Sequence, residues 1–329
     1  MGAATDRRID KLIHLLVANG TVVVPGPKIA TEIGVTRKTV WEWIEKLRAL
    51  GVEIKGHHAT GYQLQSIPDV LTPSLLRTDL GGVEIGHKII HYFQADSTNS
   101  IAMELAAEGA AHGTVVVAEE QTGGRGRFGR TWYSEKSTGI YASIVLRPPL
   151  PPSAAPILTL AAGVAAQAAV SGATGLAVDI RWPNDLLVNG KKICGILTEM
   201  SAELDRLHTV VLGIGVNVNH RQMPPELAEI ATSLRMEGRR VYPRSKILVA
   251  MLKEVEKHYR LLLAEGNGAI ATRWEAASSF ARGKRLTVRT GSEPFAATTA
   301  GLDRSGALRI RRDDGREEML VSGEVSEVK

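Results

Sequence analysis

Three arginines set among four glycines give the stretch Gln-Thr-Gly-Gly-Arg-Gly-Arg-Phe-Gly-Arg-Thr-Trp, residues 121–132, the strongest chemical character in the chain. Arg125, Arg127 and Arg130 offer planar, permanently charged forks suited to phosphate or carboxylate oxygens. Gly123, Gly124, Gly126 and Gly129 let the backbone approach a ligand closely. Such a loop is expected to be disordered alone and to order around an anion. Gly124, Gly126 and Gly129 also satisfy the spacing G-x-G-x-x-G of a dinucleotide turn. That turn opens a helix and meets an acidic residue about 20 positions on. Here Thr-Trp-Tyr-Ser follows, and a Pro-rich run without a carboxylate, residues 148–152, lies at that distance, so the nicotinamide reading is rejected. No G-x-x-x-x-G-K-[ST] phosphate loop occurs elsewhere.

Two further polar constellations stand at predicted strand ends. Ser97, Thr98 and Asn99 precede an apolar helical run, where hydroxyl and amide groups can cap the helix and also hydrogen-bond a polar ligand. Trp182, Pro183, Asn184 and Asp185, followed by Lys192, form the other. No Ser-His-Asp or Cys-His arrangement is evident, so a covalent protein intermediate is not favoured. Phosphate-directed arginines, one lysine and one carboxylate suit a reaction driven by positioning and charge stabilisation. Attack of a carboxylate on the α-phosphate of a nucleotide, with pyrophosphate leaving, makes that demand.

The elements that must position these groups follow from hydropathy spacing. Residues 6–17 and 28–33 predict helices, and Thr36 caps a third helix to residue 50 with Val40, Trp43, Ile44 and Leu47 as its buried stripe. Residues 52–54 and 62–64 read as the strands of a wing with His57 and His58 at its tip, giving a winged helix-turn-helix. Thr36, Arg37, Lys38 and Trp41 occupy the end of the third helix that would enter a DNA groove, and Glu45 and Arg48 also point away from the stripe. Trp41 suits either stacking on a sugar or packing on another domain. A winged helix of this kind serves DNA or protein contact. Residues 66–73, with two prolines, read as a linker.

Beyond it, strands are expected at 87–93, 114–118, 139–146, 178–182, 186–188, 191–200 and 209–218, with helices at 99–109 and 157–171. Asn189-Gly190 is a two-residue hairpin turn. Gly213 and Gly215 bare one face of their strand, which suggests a ligand against the sheet. Residues 240–266 predict one long helix or a pair. Short strands from residue 283 onward predict a small barrel suited to packing beside a site. The fold class is therefore α+β, divided as 1–66, 67–279 and 280–329, with the last unit an SH3-like barrel.

At 329 residues, 44% hydrophobic and 23% charged, the chain has enough apolar surface for a full core. The apolar tracts 154–170 and 210–218 read as too short to span a bilayer, and no secretory segment opens the chain, so no membrane partner and a cytoplasmic setting are expected. Cys194 is the single cysteine, which excludes an internal disulfide and reads as a small buried side chain. The net charge of +5 permits nucleic-acid contact, and residues 1–66 hold nine Lys and Arg against six Asp and Glu.

Gly-Arg-Gly-Arg-Phe-Gly-Arg-Thr-Trp at 124–132, Arg-Trp-Pro-Asn-Asp-Leu at 181–186, Lys-Ile-Cys-Gly at 192–195 and Gly-Ile-Gly-Val-Asn at 213–217 together resemble the signature stretches of biotin protein ligases. The order of winged helix, central domain and small barrel resembles the bifunctional bacterial form, ligase and biotin-operon repressor. The resemblance implies that biotin and MgATP give biotinyl-5′-AMP, and that a lysine of the biotin carboxyl carrier protein then takes the biotinyl group. Magnesium is expected with ATP and not in a protein cage.

By the same resemblance, Arg127, Lys192 and Asp185 would be catalytic. Ser97, Thr98, Asn99, Gln121, Gly124, Arg125, Arg127, Lys192 and Gly195 would bind biotin. Arg127, Arg130, Trp132, Asn184, Asp185, Lys192 and Asn217 would bind ATP or the adenylate, with Asn217 and Trp132 at adenine. Asn184 and Asp185 would place nucleotide, metal or incoming lysine. Operator DNA and an adenylate-dependent homodimer are the further implied partners. Phe128 departs from the pattern, standing where repressor-ligases often place another cation. A ligase with a vestigial winged helix, a non-catalytic ligand-sensing regulator and a lipoate-attaching enzyme are the competing readings.

Overall fold

The computed structural model describes residues 7–328 except 21, 58, 59, 67, 68 and 292. Residue 6 of the first predicted helix, His58 of the wing tip and residues 67 and 68 of the predicted linker lie outside the described residues.

Helices α1 (Arg7–Ala18), α2 (Gly26–Ile33) and α3 (Arg37–Arg48) precede a two-stranded antiparallel wing, β1 (Ile54–His57) and β2 (Gly61–Leu64). Ile9, Leu12, Ile13 and Leu16 recur at helical spacing and are all buried, together with Val40, Ile44 and Leu47 of α3. Thr36 caps α3 as its spacing predicts, accepting a hydrogen bond from the Thr39 amide at 3.1 Å. One expectation for this helix is corrected. Arg48 does not face outward, because its guanidinium donates to the Ile54 carbonyl at 2.8 and 3.0 Å and to Glu45 at 2.6 Å, fastening the wing to α3.

The central unit holds α4 (Pro73–Leu80), β3 (Lys88–Tyr92), α5 (Thr98–Ala107), β4 (Thr114–Ala118), β5 (Gly139–Leu146), α6 (Ala155–Thr174), β6 (Asp179–Arg181), β7 (Asp185–Val188), β8 (Lys191–Ala202), β9 (Leu207–Asn217), α7 (Leu234–Gly238), α8 (Arg244–Glu265) and α9 (Asn267–Ala276). Its seven strands run in the order β3-β4-β5-β9-β8-β7-β6, with only β3 and β4 parallel. Alternation sorts the side chains between two layers. Val115, Val117, Ile144, Leu212 and Ile214 join the layer of α6 and α8, while Val116, Ala118, Val145 and Val211 pack under α5. Asn189 and Gly190 take φ of 50° and 77°, the left-handed pair that a two-residue hairpin needs. Residues 244–265 form one helix, which settles the alternative between one and two.

The apolar tract at α6 is longer than its sequence reading allowed. With its leading turn it covers Pro152–Thr174, 23 residues at a mean hydropathy of 1.5, long enough by length and composition to cross a membrane. Two thirds of it is buried inside the protein, between the sheet and α8, so it is a core helix.

Strands β10 (Arg282–Arg289), β11 (Phe295–Leu302), β12 (Leu308–Arg312), β13 (Glu317–Leu320) and β14 (Glu324–Glu327) pair antiparallel in the order β13-β12-β11-β10-β14. The expected barrel is thus a five-stranded sheet whose core residues, among them Leu286, Val288, Leu308 and Ile310, are continuous with the central core.

The linker is not a loose tether either. Val70 and Phe93 complete the hydrophobic core of the winged unit. Asp69 accepts from the Arg244 amide at 2.9 Å and from its Nε at 3.0 Å, and Asp10 of α1 accepts from the Ser74 amide at 3.0 Å.

Candidate active site

Strands β5, β9 and β8 lay successive rows across the face of the sheet beyond the amino end of α5. Ser143, Gly213 and Leu197 are aligned in one row, and Tyr141, Gly215 and Gly195 in the next. The glycines do bare this face, but the protein's own side chains take part of the space. A Cβ on Gly213 would stand 2.1 Å from Asn99 Oδ1, and one on Gly215 would stand 2.5 Å from the Trp132 indole.

A chain of oxygens runs along the first row. Thr98 donates through its amide and its hydroxyl to Gln121 Oε1, at 2.9 and 3.1 Å. Ser143 Oγ lies 2.8 Å from Thr98 Oγ1 and 2.6 Å from Asn99 Oδ1. Three oxygen–oxygen contacts share two hydroxyl protons, so the cluster has more acceptors than donors. A ligand presenting N–H groups, such as a cyclic urea or amide, satisfies the surplus. Ser97 caps α5, its Oγ accepting from the Ser100 amide at 3.4 Å.

The arginine loop closes over this cluster as a short hairpin. The Trp132 amide donates to the Gly124 carbonyl at 2.9 Å and the Gly126 amide to the Arg130 carbonyl at 2.7 Å. A Cβ on Gly124 would lie 2.6 Å from the Trp132 carbonyl oxygen, so this glycine serves the approach of the two loop limbs and does not line the cavity. Phe128 at the tip has φ of 57° and is 65% exposed. Each arginine already has a protein acceptor: Arg125 pairs with Glu199 at 2.7 Å, Arg127 donates to Asn184 Oδ1 at 3.2 Å and the Gly323 carbonyl at 3.3 Å, and Arg130 pairs with Glu324 at 2.7 Å.

The third constellation comes from the turn between β6 and β7, where a cis Trp182–Pro183 bond presents Asn184 and Asp185. Asn184 Nδ2 donates to the Ile196 carbonyl at 2.7 Å, which ties the turn to β8. Lys192 Nζ lies 2.6 Å from Asp185 Oδ1, and Arg181 lies 2.7 Å from Oδ2. Burial by itself would raise the Asp185 pKa, but Lys192 and Arg181 hold it below the ordinary carboxylate range. The backbone of Lys192 is gripped from the far side, donating to the Ile230 carbonyl and accepting from the Thr232 amide, both at 2.9 Å. Asn217 Nδ2 donates to the Thr232 carbonyl at 3.0 Å. Trp132 lies on Gly195 and Gly215 with Lys192 Nζ 5.4 Å from its ring, and its buried Nε1–H has no acceptor among the described residues. Cys194, in the same strand, is wholly buried and pushed up to about 12, so it is inert.

These groups enclose one cavity of about 510 Å³, in which six cations face two carboxylates. Of the site residues singled out in the sequence for the central unit, all but Gly124 line it. Thr36, Arg37, Lys38 and Trp41 lie apart on α3; Arg37, Lys38 and Trp41 are exposed. Sequence reasoning missed Ser143, whose signal was a small hydroxyl side chain in an apolar, fully buried strand, and the covering segment that brings Met223, Leu227 and Ile230 to the wall. It also missed the contribution of the carboxy-terminal sheet, through Arg289 and Glu324.

Comparison with known proteins matches three separate stretches. Residues 90–217 match the Biotin/lipoate A/B protein ligase family, residues 8–63 an HTH domain and residues 283–326 the Biotin protein ligase C terminal domain. The bifunctional ligase/repressor BirA of Bacillus subtilis is 39% identical over 306 residues, covering 92% of this chain and 94% of that protein. The bifunctional ligase/repressor BirA of Escherichia coli is 27% identical over 316 residues, 96% of each chain. Among solved structures, the biotin protein ligase from Aquifex aeolicus in complex with biotin and ATP has a TM-score of 0.63 at 28% identity, covering 73% of this chain and 98% of that one. With a relative at this identity matched almost from end to end, the chain belongs to the biotin protein ligase family, in the three-part form of the bifunctional ligase/repressors.

Proposed function

We propose that this protein activates biotin with ATP to biotinyl-5′-AMP, transfers the biotinyl group to a lysine of biotin carboxyl carrier protein, and represses transcription through its winged helix when the adenylate is bound. The observation that carries this reading is the junction, in one cavity, of an acceptor-rich cluster with a strongly cationic wall. The oxygens around Thr98, Gln121, Ser143 and Asn99 receive the ureido N–H groups of biotin. Arg127, Arg130 and Lys192 face the carboxylate and the α-phosphate between which the new bond forms, and they stabilise the charge that builds there. Asn217 and Trp132 flank the adenine end, with the unpaired Trp132 Nε1–H available to a ligand oxygen. Magnesium enters as the counter-ion of ATP, with Asp185 and Glu324 as the pocket carboxylates that would face it. The acceptor cluster also favours biotin over lipoate, whose dithiolane ring brings no N–H group.

For DNA, Arg37, Lys38 and Trp41 remain exposed at the amino end of α3, with Trp41 54% exposed. Dimerisation on adenylate binding would align two such helices with two half-sites. ATP, carrier protein and operator share the cytoplasm, which is where we place the protein. The working divisions remain 1–66, 67–279 and 280–329.

Incubation with biotin, MgATP and a carrier domain is expected to release pyrophosphate and yield a biotinylated lysine. No biotinylated product would end the ligase reading, and pyrophosphate with lipoate but not biotin would reassign the substrate. Footprinting the protein's own biotin-gene promoters should give biotin- and ATP-dependent protection. Protection absent under all conditions would mark the winged helix as vestigial.

Gly215→Ala tests the floor of the cavity. The new methyl group would collide with the indole of Trp132 and displace it into the ligand space. The KM for ATP is expected to rise about tenfold. Steady-state kinetics that match wild type would show that Trp132 does not set the wall.

A further inference from the structure

Glu199 of β8 receives two of the groups on which the site depends, through one oxygen. Asn99 Nδ2 donates to Glu199 Oε2 at 2.9 Å, and Arg125 donates to the same Oε2 at 2.7 Å. Asn99 is buried, fills the space left open by Gly213, and receives Ser143 on its carbonyl oxygen. Arg125 belongs to the first limb of the arginine loop. The second limb is held at the other end of the same network, where Gln121 Nε2 donates to Ser134 Oγ at 2.9 Å. The connections therefore run Ser134, Gln121, Thr98, Ser143, Asn99, Glu199, Arg125; Arg125 lies in the loop that covers the cavity, and Ser134, just past its end, donates to the Trp132 carbonyl at 3.1 Å.

We infer that Glu199 is a positioning residue for biotin, one that fixes the Asn99 amide and clamps the loop through Arg125, so that occupancy of the polar cluster and closure of the loop are coupled. The inference rests on the ligase reading above. A residue with no side-chain acceptor in place of Glu199 leaves Asn99 Nδ2 with only the Leu197 carbonyl, at 3.2 Å, and leaves Arg125 without its counter-charge. Asn99 can then turn its amide, exposing a donor where the ureido N–H groups need acceptors. The Arg125 to Glu199 pair is part exposed, and an isolated pair of this kind would do little. It gains importance here because the same oxygen also orients a buried amide.

The test compares Glu199→Ala and Glu199→Gln with wild type in biotin-dependent pyrophosphate release and in release of preformed biotinyl-adenylate. Glu199→Ala is expected to raise the KM for biotin about tenfold and to speed adenylate release by a similar factor, with kcat at saturating biotin changed less than about threefold. Glu199→Gln keeps an acceptor for Asn99 and is expected to recover part of the loss in KM but little of the adenylate retention. In a double-mutant cycle, Glu199→Ala and Arg125→Ala are expected to be strongly non-additive in release rate. A KM for biotin within twofold of wild type, full additivity, or an equal fall in activity and melting temperature with no change in KM would each overturn the inference. Wild-type protein that fails to form adenylate in the same assay would instead overturn the ligase reading beneath it.

Discussion

Lys192→Ala is expected to lower the rate of pyrophosphate release from biotin and ATP by about a hundred- to a thousandfold, with the KM for biotin changed less than about threefold. The size follows from how the lysine is held. Its ammonium meets Asp185 at 2.6 Å and lies 5.4 Å from the centroid of the Trp132 ring, and its backbone is bonded on both polar groups to Ile230 and Thr232. A cation fixed before the reaction begins stabilises charge on the carboxylate and α-phosphate with little reorganisation, and removal of one such group from a water-poor cavity has effects of this order. The cost is expected to fall on the transition state because, in the proposed placement, the ureido end of biotin would sit around Thr98 and Gln121 and not against Lys192. Lys192→Arg is expected to restore little, since a planar fork cannot occupy the position of a compact ammonium against Asp185. Single-turnover pyrophosphate release decides the matter: a loss smaller than about tenfold for Lys192→Ala would remove the lysine from the chemical step.

The parts of this site legible in the sequence are those whose chemistry is local. Arg125, Arg127 and Arg130 announce an anion by type and spacing, the cap at Ser97 marks a helix start, and Asn189-Gly190 dictates its hairpin and so places Lys192 beside Asp185. The illegible parts depend on partners far along the chain. Nothing near Glu199 in sequence says that its oxygen will meet Asn99, 100 positions away on α5, and Arg125, 74 positions away in the arginine loop, contacts that only the packing of α5 and the loop on β8 creates. Arg130 likewise finds Glu324 only because the carboxy-terminal sheet packs on the central core. Arg48 was misread for a related reason: helical periodicity assigns a residue to a face but does not say that the wing will fold back to that face and capture its guanidinium.

The same distance effect hides a fully buried ion-pair cluster in the fold. Arg244 at the start of α8 is buried completely, and it meets the equally buried Glu119 at 2.8 Å, the Gly139 carbonyl at 3.0 Å and Asp69 through both amide and side chain. Glu119 also takes His91 Nε2 at 3.1 Å and the Leu71 amide at 2.7 Å. The cluster thus joins the segment below the winged unit, the strand that ends in the arginine loop and the longest helix. Arg244→Met is expected to destabilise the protein by about 3–5 kcal/mol near neutral pH, because it strands a buried carboxylate without its cation.

The pH dependence identifies the cause. Burial alone would raise the Glu119 pKa, yet Arg244 and then His91 and the Leu71 amide drive it down to about 2 in the folded protein. A carboxylate with a depressed folded pKa contributes stability that is complete above its unfolded pKa, about 4.3, and is lost as pH falls toward the folded value. Without Arg244, burial dominates and the folded pKa moves above the unfolded one, so folding then favours the protonated acid. The two curves therefore lie farthest apart near neutral pH and converge as pH falls through about 4 toward about 2. Urea unfolding at a series of pH values reads this directly. A penalty below about 1 kcal/mol at neutral pH, or one that does not shrink on acidification, would show that the Arg244 to Glu119 pair does not hold these elements together.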